Sequence, residues 1–271
     1  MSPGPGLQRT ILPQGFFAGG VNCGVRRYRP DLGLIYTEKD CVAAGVYTLN
    51  EFKAAPVLYC QKLLPAANIR ALVTNSGQAN AATGPQGVAN NLAMAQAVAK
   101  ELGIDVSQVL TASTGVIGKQ MEIEKIVAAV PESFALAILT TDLVPKTVTT
   151  TVDLSQGSVR ITGICKGSGM IHPNMATMLG YLLTDLKLTP ELAHSLLRAA
   201  TDVSFNMISV DGDSSTNDCN FLMASGESGI ELVTDSDFQS FKKALVEISQ
   251  FLAQSIAIDG EGASKLIEVD L

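Results

Sequence analysis

The stretch "KTVTTTVDLSQGSVRITGICKGSGMIHPNMATMLG", Lys146–Gly180, changes character halfway along. Its first part alternates β-branched and polar residues on either side of Gln156-Gly157, the pattern of two antiparallel strands joined by a tight turn. After Lys166 come two glycines, a Pro-Asn turn at 173–174, and then Ala176-Thr177 leading into an apolar run. The ordinary reading of Thr177 is a β-branched residue opening a strand. The sharper reading is a nucleophile that must first cut its own backbone.

Working outward, strands and helices are mixed. "LGLIYTE" and "CVAAGVYTL" read as two strands separated by a polar break, and "NIRALVTNSG" as a strand ending in a polar turn. "GVANNLAMAQAVAKELG" carries apolar residues at helical spacing and a closing glycine. "SQVLTASTGVIG" is a strand running into a loop of small residues, and "EIEKIVAAV" begins a second helix. In "TPELAHSLLRAATDVSF" Thr189 is the expected N-cap, with Glu191 in the first turn. "DSDFQSFKKALVEISQFLAQSIAID" is a long amphipathic helix. The final "KLIEVDL" reads as a strand, which would leave a sheet edge exposed. No fixed-period repeat or linker divides the chain, so the expectation is one domain of mixed α/β (α+β) class, rich in sheet.

Composition narrows the function. The 271 residues are 46% apolar and 17% charged with net charge −7, and the basic residues are scattered apart from "GVRRYR". That balance argues against nucleic acid as a main partner. No apolar run reaches membrane-span length, and the N-terminus lacks the basic-then-apolar pattern of a secretory signal. A cytoplasmic protein acting on small molecules is the default. Five cysteines (Cys23, Cys41, Cys60, Cys165, Cys219) are widely spaced with no C-x-x-C, so most are expected to be buried thiols. No metal or cofactor motif stands out. The two histidines, His172 and His194, would have to serve any Ser-His-Asp hydrolase, and the flanks of Ser168 do not form a nucleophile elbow.

Several loops could carry chemistry. "DGDSSTND", Asp211–Asp218, has Thr216 where a calcium loop needs glycine and Leu222 where it needs glutamate, which leaves a turn held by side-chain caps. "NSGQANAATGPQG" lacks the lysine and spacing of a phosphate loop. Thr114-Gly115 pairs a hydroxyl with an unhindered backbone N–H, the two donors an oxyanion hole needs, although such a dipeptide alone is usually just loop. Glu261 lies between two glycines, where a carboxylate can reach a cleft, or simply end a helix.

Thr177 has no histidine nearby in sequence. A threonine can instead be activated by becoming an N-terminus, so that its own α-amino group, with a pKa near ~8, acts as base. Its hydroxyl would attack the Ala176 carbonyl, and water would release residues 1–176.

Read in order, "GFFAGGVNCGVRRYRPDLGLIYTEKDCVAAGVYTLNEFKAAPV", "NSGQANAATGPQG", "TASTGVIG", "KGSGMIHPNMATMLGYLLTD", "SVDGDSSTND" and "DGEGASK" resemble the ornithine acetyltransferase (glutamate N-acetyltransferase) family of arginine biosynthesis, over nearly the whole chain. The resemblance implies a layered sandwich of facing sheets covered by helices, of the ornithine acetyltransferase and DmpA-like kind. It implies one catalytic domain, 1–271, processed into 1–176 and 177–271, the cut pieces assembling as two α and two β chains. Thr177 then matches the nucleophile, Ala176-Thr177 the cleavage site, and Thr114 and Gly115 the oxyanion hole. Lys166 and Glu261 match substrate-binding residues, with a solvated surface lysine as the plain alternative for Lys166. The implied substrates are N-acetylornithine and glutamate with no cofactor, and some family members also accept acetyl-coenzyme A.

Two departures accompany the resemblance. The family's "TTDT" is here "TTDL", putting Leu143 where a substrate-contacting threonine is expected. The loss of such a bond is worth ~1 kcal/mol, enough to weaken or redirect binding. Family members also continue past Leu271 into a segment that contributes an asparagine-bearing motif. The alternatives are a related N-terminal-nucleophile amidase or aminopeptidase and a truncated, non-catalytic amino-acid-binding remnant.

Overall fold

The computed structural model describes residues 11–130, 146–171 and 178–269, together with the backbone pairing of Leu7–Gln8. Ala176, Thr177 and Leu143, as well as His172, lie outside the described residues.

The hairpin forms as the sequence predicts: β6 (Lys146–Leu154) and β7 (Gly157–Lys166) pair from Leu154↔Gly157 to Lys146↔Cys165, and Gly157 takes a φ of +140° at the turn. Around it lies one continuous sheet. Its described strands are β1 (Leu7–Gln8), β2 (Phe16–Val21), β3 (Leu32–Tyr47), β4 (Ala66–Gln78), β5 (Val109–Val116), the hairpin, β8 (Leu179–Thr184) and β9 (Cys219–Ala224). Their order is β1-β6-β7-β8-β9-β3-β4-β5, with β2 also paired to β3.

The two strands expected within residues 32–49 are one. β3 runs 16 residues, and the polar Glu38-Lys39-Asp40 that looked like a break is an exposed middle section. The strand stays extended there because its two halves serve different partners. Leu32–Thr37 pair with β2 and Val42–Tyr47 with β9, while β4 runs beside both halves, from Leu32↔Asn75 to Ala43↔Ala66, with register shifts between Tyr36 and Cys41 and between Cys41 and Ala43. A bulge at such a crossing bends the strand and lets one sheet fold over itself.

Period-2 burial then sorts the side chains into layers. Ile35, Leu72 and Leu110 share a central core with Ile164, Tyr181, Leu183 and Phe221 from the other half of the sheet. The alternate residues Ala71, Val73 and Val109 pack with Met94, Ala95 and Val98 of α2 (Gly84–Leu102). On the opposite outer face, Ile161, Leu182 and Leu222 pack with Leu196 and Leu197 of α4 (Pro190–Asp202) and with Phe241, Leu245 and Leu252 of α5 (Asp235–Ile258). The result is the expected sandwich of facing sheet layers covered by helices. Between the layers, the Thr74 hydroxyl and the Tyr181 phenol are 2.8 Å apart, both buried.

Local chemistry fixes the helices. Thr189 caps α4 by accepting from the Leu192 N–H at 3.3 Å, as expected. Thr234 caps α5 in a reciprocal box with Asp237. Gly103 closes α2 in the left-handed conformation. α1 (Ala55–Leu63) and the short α3 (Ile123–Ala128) complete the α-helices among the described residues. No described helix is long and apolar enough to cross a membrane.

Over its described part, Lys265–Val269, the expected terminal strand does not form. Ala263–Val269 carries no regular structure and leaves Ile267 81% exposed. Alternation alone cannot make a strand where no neighbouring strand offers backbone partners.

Candidate active site

The first wall of the site lies where β4 and β5 end side by side. They pair in parallel, Ser76 opposite Thr114 and Gly77 opposite Gly115. Both glycines have positive φ, +106° and +129°. A Cβ on Gly115 would lie 2.2 Å from the Gly77 carbonyl carbon and 2.6 Å from the Gln78 nitrogen, so glycine is obligatory there. Thr114 is buried, at 6% exposure.

Beneath this junction lies a network of neutral side chains. Ser113 Oγ donates to Asn75 Oδ1 at 2.6 Å, and Asn75 Nδ2 donates to the Gln78 carbonyl at 2.8 Å. Asn217 Nδ2 donates to the Ser113 carbonyl at 2.9 Å and to the Ala79 carbonyl at 2.6 Å. Thr216 Oγ1 donates to Asn217 Oδ1, and Thr48 Oγ1 holds the Ser215 carbonyl. The next residue, Asp218, is buried and accepts the Met178 N–H through Oδ1 at 2.9 Å. The Cys219 N–H donates to the Met178 carbonyl at 3.3 Å. One dipeptide, Asn217-Asp218, therefore ties the neighbour of Thr114 to the residue that follows Thr177.

The second wall is built from carboxylates. Asp211 accepts from the Met170 N–H at 2.5 Å and the Ile171 N–H at 2.8 Å, holding Met170 at a φ of +56°. The Ile171 carbonyl accepts in return from Val210 and Gly212. Glu261 sits in the turn after α5, with Gly262 at a φ of +76°, and its N–H donates to the Ser168 carbonyl at 2.5 Å. Its Oε2 lies only 2.8 Å from where a Cβ on Gly169 would stand, so that glycine makes room for the carboxylate. Lys166 ends β7 opposite Leu179 and is 3% exposed, which removes the reading of a solvated surface lysine. Its positive charge acts on the Cys219 thiol, partly opposing the effect of burial there.

Other nucleophiles are poorly placed. Cys41, Cys60, Cys165 and Cys219 are buried, and burial pushes the thiols of Cys41 and Cys60 up to about 12 and that of Cys219 well above its ordinary value. Such thiols stay protonated and inert at neutral pH. Among the described residues, no group of three or more His, Cys, Asp or Glu could hold a metal ion. A groove of about 520 Å3 between Val203–Val210 and α5 reaches Val210 and Ala263 but none of the Thr114 wall, so it is not the cleft between the walls.

The structure thus brings Lys166 and Glu261 to the segment on either side of Ser168, and Thr114-Gly115 to the wall joined with Met178. Asp211, Asn217 and Asp218 escaped the sequence reading, which took "DGDSSTND" as a self-contained turn. Its Asx and Ser/Thr turns do exist, Asp213 N–H to Asp211 and Asn217 N–H to Ser215. The available signal was the density of acid and amide groups immediately ahead of a mostly apolar strand, β9.

Comparison with known proteins identifies the family. The chain is 46% identical to the arginine biosynthesis bifunctional protein ArgJ of Thermotoga neapolitana, over 96% of this chain and 69% of that protein. It is similar to the crystal structure of ornithine acetyltransferase from Mycobacterium tuberculosis complexed with ornithine, at 38% identity and a TM-score of 0.57, covering 62% of this chain and 97% of that one. A likeness of fold alone extends to the L-aminopeptidase D-Ala-esterase/amidase of Ochrobactrum anthropi, at 12% identity and a TM-score of 0.55, over 94% of this chain and 90% of that one. With the ArgJ family matched over residues 17–271, the chain belongs to the ArgJ family.

Proposed function

We propose that this protein transfers an acetyl group from N2-acetyl-L-ornithine to L-glutamate through an acetyl-threonine enzyme, as a step of arginine biosynthesis. The observation that carries the reading is the Asn217-Asp218 bridge, because it fixes the neighbours of Thr114 and Thr177 to one rigid dipeptide. Oxyanion stabilisation depends on donors held in place before reaction, and a buried, hydrogen-bonded scaffold supplies that.

In this reading the Thr177 hydroxyl attacks the Ala176 carbonyl, the peptide becomes an ester, and water releases 1–176. The freed α-amino group then takes the proton of the Thr177 hydroxyl as that oxygen attacks the acetyl carbon. Thr114 Oγ1 and the Gly115 N–H hold the developing oxyanion, each donor worth about 3 kcal/mol of barrier. The amine of ornithine leaves with the proton, and the amine of glutamate takes the acetyl group from the ester. Lys166 suits the α-carboxylate and Glu261 the side-chain ammonium of ornithine. No cofactor enters, and acetyl-coenzyme A serves as a second donor. The cut pieces act as an assembly of two α and two β chains in the cytoplasm.

The test is the mass of the purified chain under denaturing conditions, before and after incubation with N-acetylornithine. Fragments ending at Ala176 and beginning at Thr177, the second gaining one acetyl group that glutamate removes, are expected. A single uncut mass sinks the proposal, and acetate release at an equal rate without glutamate replaces it with an amidase.

A further inference from the structure

We infer that the buried ion pair Lys146–Asp259 is a positioning device that sets the distance between Lys166 and Glu261, and so selects the length of the diamino acid. The inference rests on the substrate reading above and deepens it. Lys146 Nζ and Asp259 Oδ2 are 2.5 Å apart, with side chains 1% and 4% exposed. Asp259 is the C-cap of α5, where an acid opposes the helix dipole, and no basic residue occupies the helix's last turn. The compensating charge comes from another element, the first residue of β6.

Stability does not account for such a pair. Replacing a buried ion pair with well-packed apolar groups is often neutral or stabilising, so its distinctive contribution is geometric register. Here that register reaches two predicted substrate positions at once. Lys146 stands opposite Cys165, the residue before Lys166, on the neighbouring strand. Asp259 precedes Glu261 by two, across Gly260, whose missing Cβ would lie 3.1 Å from the Ala257 carbonyl oxygen, the Ala263 Cβ and the Val210 Cγ1. With Gly260 wedged and the Glu261 N–H on the Ser168 carbonyl, a shift of α5 against β6 would move the Glu261 carboxylate relative to Lys166.

The test compares the full chain with Lys146→Met/Asp259→Asn, which removes both charges and strands neither. Calorimetry would measure binding of ornithine, of its homologue one methylene shorter and of lysine, one methylene longer. Alongside, KM and kcat would be measured with the N-acetylated forms. The expected result is at least a tenfold loss of ornithine affinity and a flattened preference among the three lengths, with kcat changed less than threefold. Unchanged length preference in a folded double variant overturns the inference while leaving the function intact. An unmutated chain that binds none of the three overturns the substrate reading and this inference with it. Should the double variant not fold, Lys146→Arg keeps the charges but lengthens the link; a shifted length preference supports the inference and an unshifted one overturns it.

Discussion

The Thr114 wall and the Glu261 wall hold their loops by different means. Asn75, Ser113, Asn217 and Thr216 are buried and bond through neutral groups, whereas Asp211 and Glu261 are exposed carboxylates gripping backbone N–H groups or lying against a glycine. Buried neutral bonds answer little to salt, but each one broken strands a partner away from water. Exposed charge-assisted bonds are individually stronger in geometry yet screened by solvent and ions. The wall expected to stabilise charge is therefore held mainly by buried neutral groups, with the buried Asp218 carboxylate joined to them. The wall expected to recognise a charged substrate is itself ionic and adjustable.

Breaking the rigid wall should give the largest effect. Gly115→Ala forces a methyl into the Gly77 carbonyl at a φ of +129° and should lower the unfolding free energy by ~4 kcal/mol or more, into the range of severe lesions. Urea denaturation reads it directly, and a loss under about 1 kcal/mol would show that the junction is looser than described. The contrast between walls sharpens with a pair of variants. Asn217→Ala removes two buried hydrogen bonds to backbone carbonyls and should cost about 2–3 kcal/mol at any ionic strength. Asp211→Asn keeps the shape, removes the charge and should cost ~1 kcal/mol, less at high salt. Thermal melts of both at low and high salt test this, and equal salt responses would erase the distinction.

The smallest effect lies outside both walls and calibrates them. Hydrogen bonds from the Ser155 hydroxyl and N–H, and then from Thr234, lower the Asp237 carboxyl from 3.8 to about 2. A depressed folded-state value means that its contribution is complete above pH 4 and disappears as the pH falls from 4 towards 2. Asp237→Asn should flatten the melting temperature against pH in that window alone; an unchanged slope would remove Asp237 as the cause.

Much of this was legible in the residues. The hairpin, the helix caps at Thr189 and the closing glycine of α2 are local signals, and they formed where the sequence put them. The joining of two strands into β3 was not, because the choice between a loop and a continued strand at Glu38–Asp40 depends on distant partners in β4 and β9. The same holds for the described part of "KLIEVDL", Lys265–Val269, whose alternation met no described neighbour. Thr114, Gly115, Lys166 and Glu261 stood out by residue type and resemblance. Asn217, Asp218 and Asp211 act on backbone groups between 40 and 138 positions away, a relation that no local pattern carries.

The strand order has a consequence for a chain cut ahead of Thr177. Residues 1–176 would supply β1 to β7, and the remainder β8 and β9, which lie between β7 and β3 in the finished sheet. The smaller piece would be a wedge gripped along both edges by the larger one, through backbone ladders from Ile161–Lys166 on one side and Val42–Tyr47 on the other. Neither piece could depart without opening the sheet along two seams. On a sizing column the two pieces of each protomer should elute together in one particle, and only a denaturant should separate them.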